Sequence, residues 1–206
     1  MSIKNKSAIL TLLIISFLFI ADLVVEKNSL LLHFDMAIFI AIHAIHFPNF
    51  LNTLMLNLTT LGNPYQALII FLVFAIFLVA KRKKYATYIF IIATGLGITV
   101  PEIFKYLTNR ARPISHFLFE SDPSFPSGHA TIAAIYFFAA LLLIAPLLKN
   151  TFARKTFILI SAIIFPLIAL SRIYLSVHWT SDVLAGILLG SACYLFANIV
   201  TEVEPR

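Results

Sequence analysis

The stretch Asp122-Pro123-Ser124-Phe125-Pro126-Ser127-Gly128-His129-Ala130 is a short polar loop broken by prolines and a glycine, and an apolar run to Leu148 begins at its end. A hydroxyl, a bare backbone turn and an imidazole therefore stand where a helix starts. The first N–H groups of a helix have no intrahelical acceptor, and its dipole is positive at that end, so the loop is placed to face an anion. Read alone, Ser127 before Gly128 is equally well an ordinary N-cap. The apolar run that follows decides the environment, because about 20 such residues cross the hydrocarbon core of a bilayer.

The same pattern recurs outward in both directions. Of the 206 residues, 61% are hydrophobic and only 12% charged, against about 25% charged in soluble domains. Apolar runs of span length fall at about 7–25, 62–80, 85–104, 129–148, 156–172 and 182–201. The first follows a basic start (Lys4, Lys6) but no small-x-small cleavage site follows it, so it reads as an uncleaved span. The segment 33–60 differs. Residues 36–46 are apolar but too short to span, Pro48 breaks the run, and Phe50, Leu51, Leu54, Leu58 and Leu61 follow one helical face. It reads as short helices in the interface or against the bundle. His43 and His46 share a face there, but no carboxylate or third imidazole stands near in sequence, so no metal is expected. The single cysteine, Cys193, lies in an apolar run and reads as a packing residue. The expected fold is all-α: one polytopic membrane domain over 1–206, with six transmembrane helices and short outer interfacial helices.

Charge tests the count of spans. With six spans and an inner N-terminus, ten of the fifteen Lys and Arg residues are inside: Lys4, Lys6, Lys81, Arg82, Lys83, Lys84, Lys149, Arg154, Lys155 and Arg206. Lys27, Lys105, Arg110, Arg112 and Arg172 are outside. A seventh span across 36–61 would reverse this bias, against the tendency of cytoplasmic loops to carry the positive charge. The formal charge of +6 is therefore a topology signal, and no nucleic-acid partner is expected. The same parity puts three polar clusters on one face, the outer one.

The first cluster is Lys105, Arg112 and Pro113, with Arg110 between and Glu102 one turn before. A cation at mid-membrane is costly, so these belong at a span's end or in a polar cavity. Arg112 offers a planar fork suited to phosphate and Lys105 a point charge; Glu102 is placed to orient Lys105. The second cluster is the opening stretch, where Ser127 and the N–H groups about Gly128 can donate to phosphate oxygens and His129 can act as a general acid. The third is Ser171, Arg172, His178 and Asp182. His178 and Asp182 are four apart; a carboxylate on one ring N–H fixes the tautomer and leaves the other nitrogen free to attack. Together these are cations, a donor-rich turn and two histidines, an inventory suited to phosphoryl transfer without a metal.

Lys105…Arg112-Pro113, then Pro126-Ser127-Gly128-His129, then Ser171-Arg172…His178…Asp182, resembles the three-part signature of the type 2 phosphatidic acid phosphatase superfamily, met in full and in order over residues 105–182. The resemblance implies a six-span helical fold and metal-independent dephosphorylation of a membrane lipid, with no cofactor. It implies that His178 attacks phosphorus, Asp182 orients His178, and His129 protonates the leaving oxygen. Lys105, Arg112, Ser127, Gly128 and Arg172 would hold the phosphate. Arg110 lies outside the strict signature and, with Glu102, is a candidate contact to substrate. The expected partners are a lipid phosphate and the bilayer. The expected location is the inner or plasma membrane, with both termini cytoplasmic and the site facing outward. Undecaprenyl diphosphate and phosphatidylglycerol phosphate suit the outward face and small size. A phosphatidate or lipid A phosphatase and a lipid phosphotransferase would use the same residues, and a lipid or anion transporter is the reading from another class.

Overall fold

The computed structural model describes residues 1–45, 47–115 and 117–203; His46 and Arg206 of the sequence reading lie outside these. Among the described residues the helices follow as α1 (Ile3–Val25), α2 (Ser29–Ala44), α3 (Asn49–Thr60), α4 (Pro64–Ala80), α5 (Lys84–Thr108), α6 (Gly128–Phe138), α7 (Thr151–Tyr174) and α8 (Thr180–Val203), with no strand. α1, α5, α6 with its continuation, α7 and α8 are each long and apolar enough to cross a membrane. The 17 residues of α4 form a sixth candidate together with α3 across a 60° bend. The protein is an all-α, multi-pass membrane protein with five to six candidate spans.

Local chemistry sets the breaks. Ser2, Asn28, Ser127 and Asn150 cap α1, α2, α6 and α7 with side-chain oxygens that accept backbone N–H groups. Pro64 opens α4, where its missing N–H costs nothing. α5 stops at Asn109, which takes the left-handed conformation (φ 43°) and returns its N–H to the carbonyl of Lys105. Pro101 and Pro166 stay inside α5 and α7. The run expected as one helix to 148 is not uniform. Pro146 has no N–H to offer the preceding turn, and α6 continues as a π-helical segment, Ala139–Ile144, and a 3-10 turn, Ala145–Leu147.

The bundle is apolar outside as well as in. Leu12, Ile15, Leu18 and Phe19 of α1, and Ile69, Val73, Ile76 and Val79 of α4, are exposed, as a lipid-facing surface requires. Inside, α6 lies against α8, and two glycines one helical turn apart permit the approach. A Cβ at Gly186 would stand 2.5 Å from the Ser127 carbonyl oxygen, and one at Gly190 2.3 Å from that of Thr131. The backbones are close enough for the Ser127 N–H to donate to the Asp182 carbonyl (3.0 Å). This helix pair thus fixes the start of α6 beside the start of α8. Aromatic rings of Phe74, Phe90, Tyr136 and Phe165, at centroid separations of 5.7 to 6.2 Å, tie α4, α5, α6 and α7 below them.

The two ends of the bundle differ. At one, the C-termini of α5 and α7 meet the N-termini of α4, α6 and α8. At the other, Lys6 of α1 bonds Asn198 (2.7 Å) and Glu202 (2.5 Å) of α8, so the start of α1 and the end of α8 lie on that side.

Candidate active site

The loop 109–127 carries the first cluster across to the third. It is fastened by Ser124 N–H to the Arg110 carbonyl (2.9 Å), Ser115 Oγ to the Leu175 carbonyl (2.6 Å), and Trp179 Nε1 to the Ala111 carbonyl (2.9 Å). The turn after α7 is pinned in its own way: the N–H groups of Val177 and His178 both donate to the Arg172 carbonyl, with Ser176 between at φ 55°. His178 is thereby held, 3% exposed, facing Arg112.

The tautomer of His178 follows from its neighbours. Arg112 Nη1, which can only donate, stands 3.0 Å from Nε2. Nε2 is therefore the unprotonated nitrogen and Nδ1 carries the hydrogen. Nδ1 faces Asp182 Oδ2 at 3.5 Å and has no closer acceptor; such pairs often tighten only with substrate bound. Burial, the largest cause, holds the His178 pKa below the ordinary value; Arg172 and Arg112 add to this and Asp182 opposes it. The imidazole is thus neutral at neutral pH.

Arg110 does not turn toward Arg112. Its Nη1 donates to Asp182 Oδ1 (2.5 Å) and Ser181 Oγ (2.8 Å), and its Nη2 to Asp35 Oδ2 (2.6 Å). The candidate contact to substrate lies instead behind the His178–Asp182 pair, between two buried carboxylates.

The remaining cations are already compensated. Lys105 pairs with Glu102 (2.7 Å) and Asp122 (2.8 Å). Arg112 pairs with Glu120 (2.8 Å) and Asp122 (2.9 Å), and donates to the Val177 carbonyl (2.7 Å). Arg172, 1% exposed, donates to the second oxygen of Glu120 and to Thr59 Oγ1 (2.7 Å), while its Nε is buried without an acceptor. Burial would raise the carboxyl pKa of Glu120, but Arg172 and Arg112 outweigh it and hold the group below its usual range. Burial acts on Asp122 likewise and is outweighed by Lys105 and Arg112. The two oxygens of Glu120 thus bridge two arginines, one of which also meets Nε2 of His178, much as two oxygens of a phosphate could.

At the start of α6, Ser127 is fully buried as the N-cap, its Oγ accepting the Ala130 N–H (3.4 Å). Gly128 and His129 face a cavity. His129 Nε2 lies 3.0 Å from Asn63 Oδ1, and nothing larger than glycine fits at Gly62, where a Cβ would stand 2.3 Å from the imidazole. The turn before α4 therefore orients His129.

The cavity has a volume of about 760 Å³. Its polar end is lined by Glu102, Lys105, Arg112, Glu120, His129 and His178. Its other end runs between α4, α5 and α6 along Leu68, Phe71, Ile91, Ile98 and Ile132. Ser127, Arg172 and Asp182 are behind the polar end, within its shell of contacts. Among the described residues no group of three or more His, Cys, Asp or Glu is arranged to hold a metal ion.

Sequence reasoning missed Asp35, Asn63, Thr59, Glu120 and Asp122. One signal was available for Asp35: it is the sole Asp, Glu, Lys or Arg between residues 28 and 80, and a lone ionisable residue in an apolar region is a functional candidate by default.

Known proteins share this fold and much of this sequence. Over 148 residues the chain is 34% identical to an undecaprenyl-diphosphatase of Sulfolobus acidocaldarius, which covers 68% of this chain and 66% of that protein. It is 31% identical over 142 residues to phosphatidylglycerophosphatase B of Bacillus subtilis, covering 68% and 70%. Its fold superposes on the crystal structure of the transmembrane PAP2-type phosphatidylglycerolphosphate phosphatase from Bacillus subtilis with a TM-score of 0.82, at 28% identity, over 96% of this chain and 98% of that one. The sequence profile of the PAP2 superfamily matches residues 84–204, the stretch that supplies all three clusters of the site, and the chain belongs to that superfamily.

Proposed function

We propose that this protein is a membrane phosphatase that hydrolyses a lipid phosphomonoester or diphosphate, with undecaprenyl diphosphate and phosphatidylglycerol phosphate as its substrate classes. The enzyme is a phosphoric ester hydrolase. The observation that carries this reading is the single cavity whose charged end holds His178, His129, Lys105 and Arg112 and whose other end is an apolar slot between spans. A phosphate fits the first part and an acyl or isoprenyl chain the second. The names of the relatives favour the same two substrates.

In the proposed mechanism the substrate phosphate displaces Glu120 and Asp122 from Arg112, Arg172 and Lys105, and takes up the unpaired Nε–H of Arg172. The N–H groups about Gly128 complete the cradle. As Arg112 turns to the phosphate it releases the lone pair of His178 Nε2, which attacks phosphorus as the bond to the lipid oxygen breaks, and His129 gives that oxygen its proton. Asp182 stabilises the charge that develops on the His178 ring. Water, deprotonated by His129, then breaks the N–P bond and releases inorganic phosphate. The cations and N–H groups supply the charge stabilisation, so no divalent metal is required. The site faces the extracytoplasmic side and both termini the cytoplasm, a placement supported by the ten inner basic residues.

Purified protein in detergent, given a panel of lipid phosphates with EDTA, should release phosphate from at least one of the two named classes. Release that requires an added divalent ion, or none from any lipid phosphate, would contradict the reading.

A further inference from the structure

Behind His178 and Asp182 lie two charged residues that the phosphatase signature does not contain, Asp35 and Arg110. Asp35 of α2 is 1% exposed. Its Oδ2 accepts from Arg110 Nη2 (2.6 Å) and Ser181 Oγ (2.6 Å), and its Oδ1 accepts the backbone N–H of Ser181 (2.9 Å). Arg110 then reaches Asp182 Oδ1, while Asp182 Oδ2 accepts the Trp179 N–H (2.9 Å) and faces His178 Nδ1. We propose that Asp35 and Arg110 are positioning residues for His178, acting through Asp182; this rests on His178 being the nucleophile.

Both charge and aim depend on this pair. A guanidinium placed directly on Asp182 cancels the negative charge that His178 needs as its ring becomes positive during attack. Asp35 restores it: two carboxylates and one guanidinium leave one net negative charge behind the imidazole. The same contacts fix Asp182 through Oδ1 and so direct Oδ2 at Nδ1. Asp35 also accepts an N–H of the first turn of α8, where a carboxylate is favoured by the helix dipole. A short helix remote in sequence from the signature thereby helps set the nucleophile. The charged groups facing His178 are Arg112 and Glu120 from the loop, Arg172 from α7, His129 from α6 and Asp182 from α8; all are retained in the variants below.

The test is phosphate release against pH for Asp35→Asn, Arg110→Gln and His178→Ala in the full-length protein. Asp35→Asn keeps an acceptor for Ser181 but removes a negative charge, so protonation of His178 becomes harder and the acid limb of the kcat profile should move to lower pH. Arg110→Gln removes a positive charge, and the limb should move to higher pH. Both should lower kcat about ten- to hundredfold with little change in KM, the cost of a misaimed group, and Asp35→Glu should recover part of the loss. A merely structural anchor would not give opposite shifts. Wild-type kcat and profile in folded variants, shifts in one direction, or loss of folding in both would overturn the inference. An active His178→Ala would overturn the nucleophile assignment instead; an inactive one with unaffected Asp35 and Arg110 variants would overturn only this inference.

Discussion

At the scale of single residues, the site holds carboxylates where a phosphate should go. Glu120 bridges Arg112 and Arg172, so substrate and product both compete with it. Glu120→Gln should therefore strengthen inhibition by inorganic phosphate, lowering its inhibition constant about five- to tenfold, the effect of roughly 1 kcal/mol; steady-state inhibition measures this. His129→Gln should cost about 10²- to 10⁴-fold on lipid substrates, the usual value of a general acid. The first step alone, read as the pre-steady-state burst of p-nitrophenol from p-nitrophenyl phosphate, should be much less affected, because that leaving group needs no proton. Because burial lowers the His178 pKa, the imidazole is protonated only when the pH falls below the ordinary histidine value of about 6.5. The acid limb of wild-type activity should have its midpoint below that pH. His178, His129, Arg112 and Lys105 were legible from residue type and spacing, since each is an ionisable group at a span's end. Glu120 and Asp122 were not, because a carboxylate in an irregular loop has no periodicity that says which cation it will meet.

At the scale of elements, the pairing of α6 with α8 brings the second cluster to the third. Gly186 and Gly190 make this pairing possible. Gly190→Val should overpack the contact, at about 1–3 kcal/mol, with a lower melting temperature and lost activity together. Gly128→Ala is the contrasting case, since a Cβ there would meet no protein atom within 4 Å. It should fold normally and raise KM, if the cavity before Gly128 holds phosphate; thermal unfolding and kinetics on the same preparations separate the two. The apolar runs announced these helices in the sequence, and the prolines announced most of their breaks. The π-helical segment before Pro146 was not announced, because the proline specifies a missing donor but not how the preceding turn accommodates it. Nor were the partners of α2 and α3. Their short apolar faces showed that they pack, while the bond from Asp35 to Ser181 joins residues 146 positions apart.

For the whole molecule, the gathering of five helix termini at one end explains why a chain with so few charges can build an ionic site within a lipid-facing bundle. From the parity of basic residues in the sequence we propose that this end faces outside. Engineered cysteines in the 114–124 loop should react with an impermeant reagent in intact cells, and a cysteine at position 83 only after permeabilisation; the reverse would invert the topology. At the centre of the proposed chemistry, His178 would carry the phosphoryl group. The most direct measurement is rapid acid-free quenching of the enzyme with lipid labelled at phosphorus, in EDTA. The expected result is a protein-bound label that is lost in acid, is stable in base and is absent from His178→Ala; label retained by that variant, or turnover undiminished in it, would rule out His178 as the carrier.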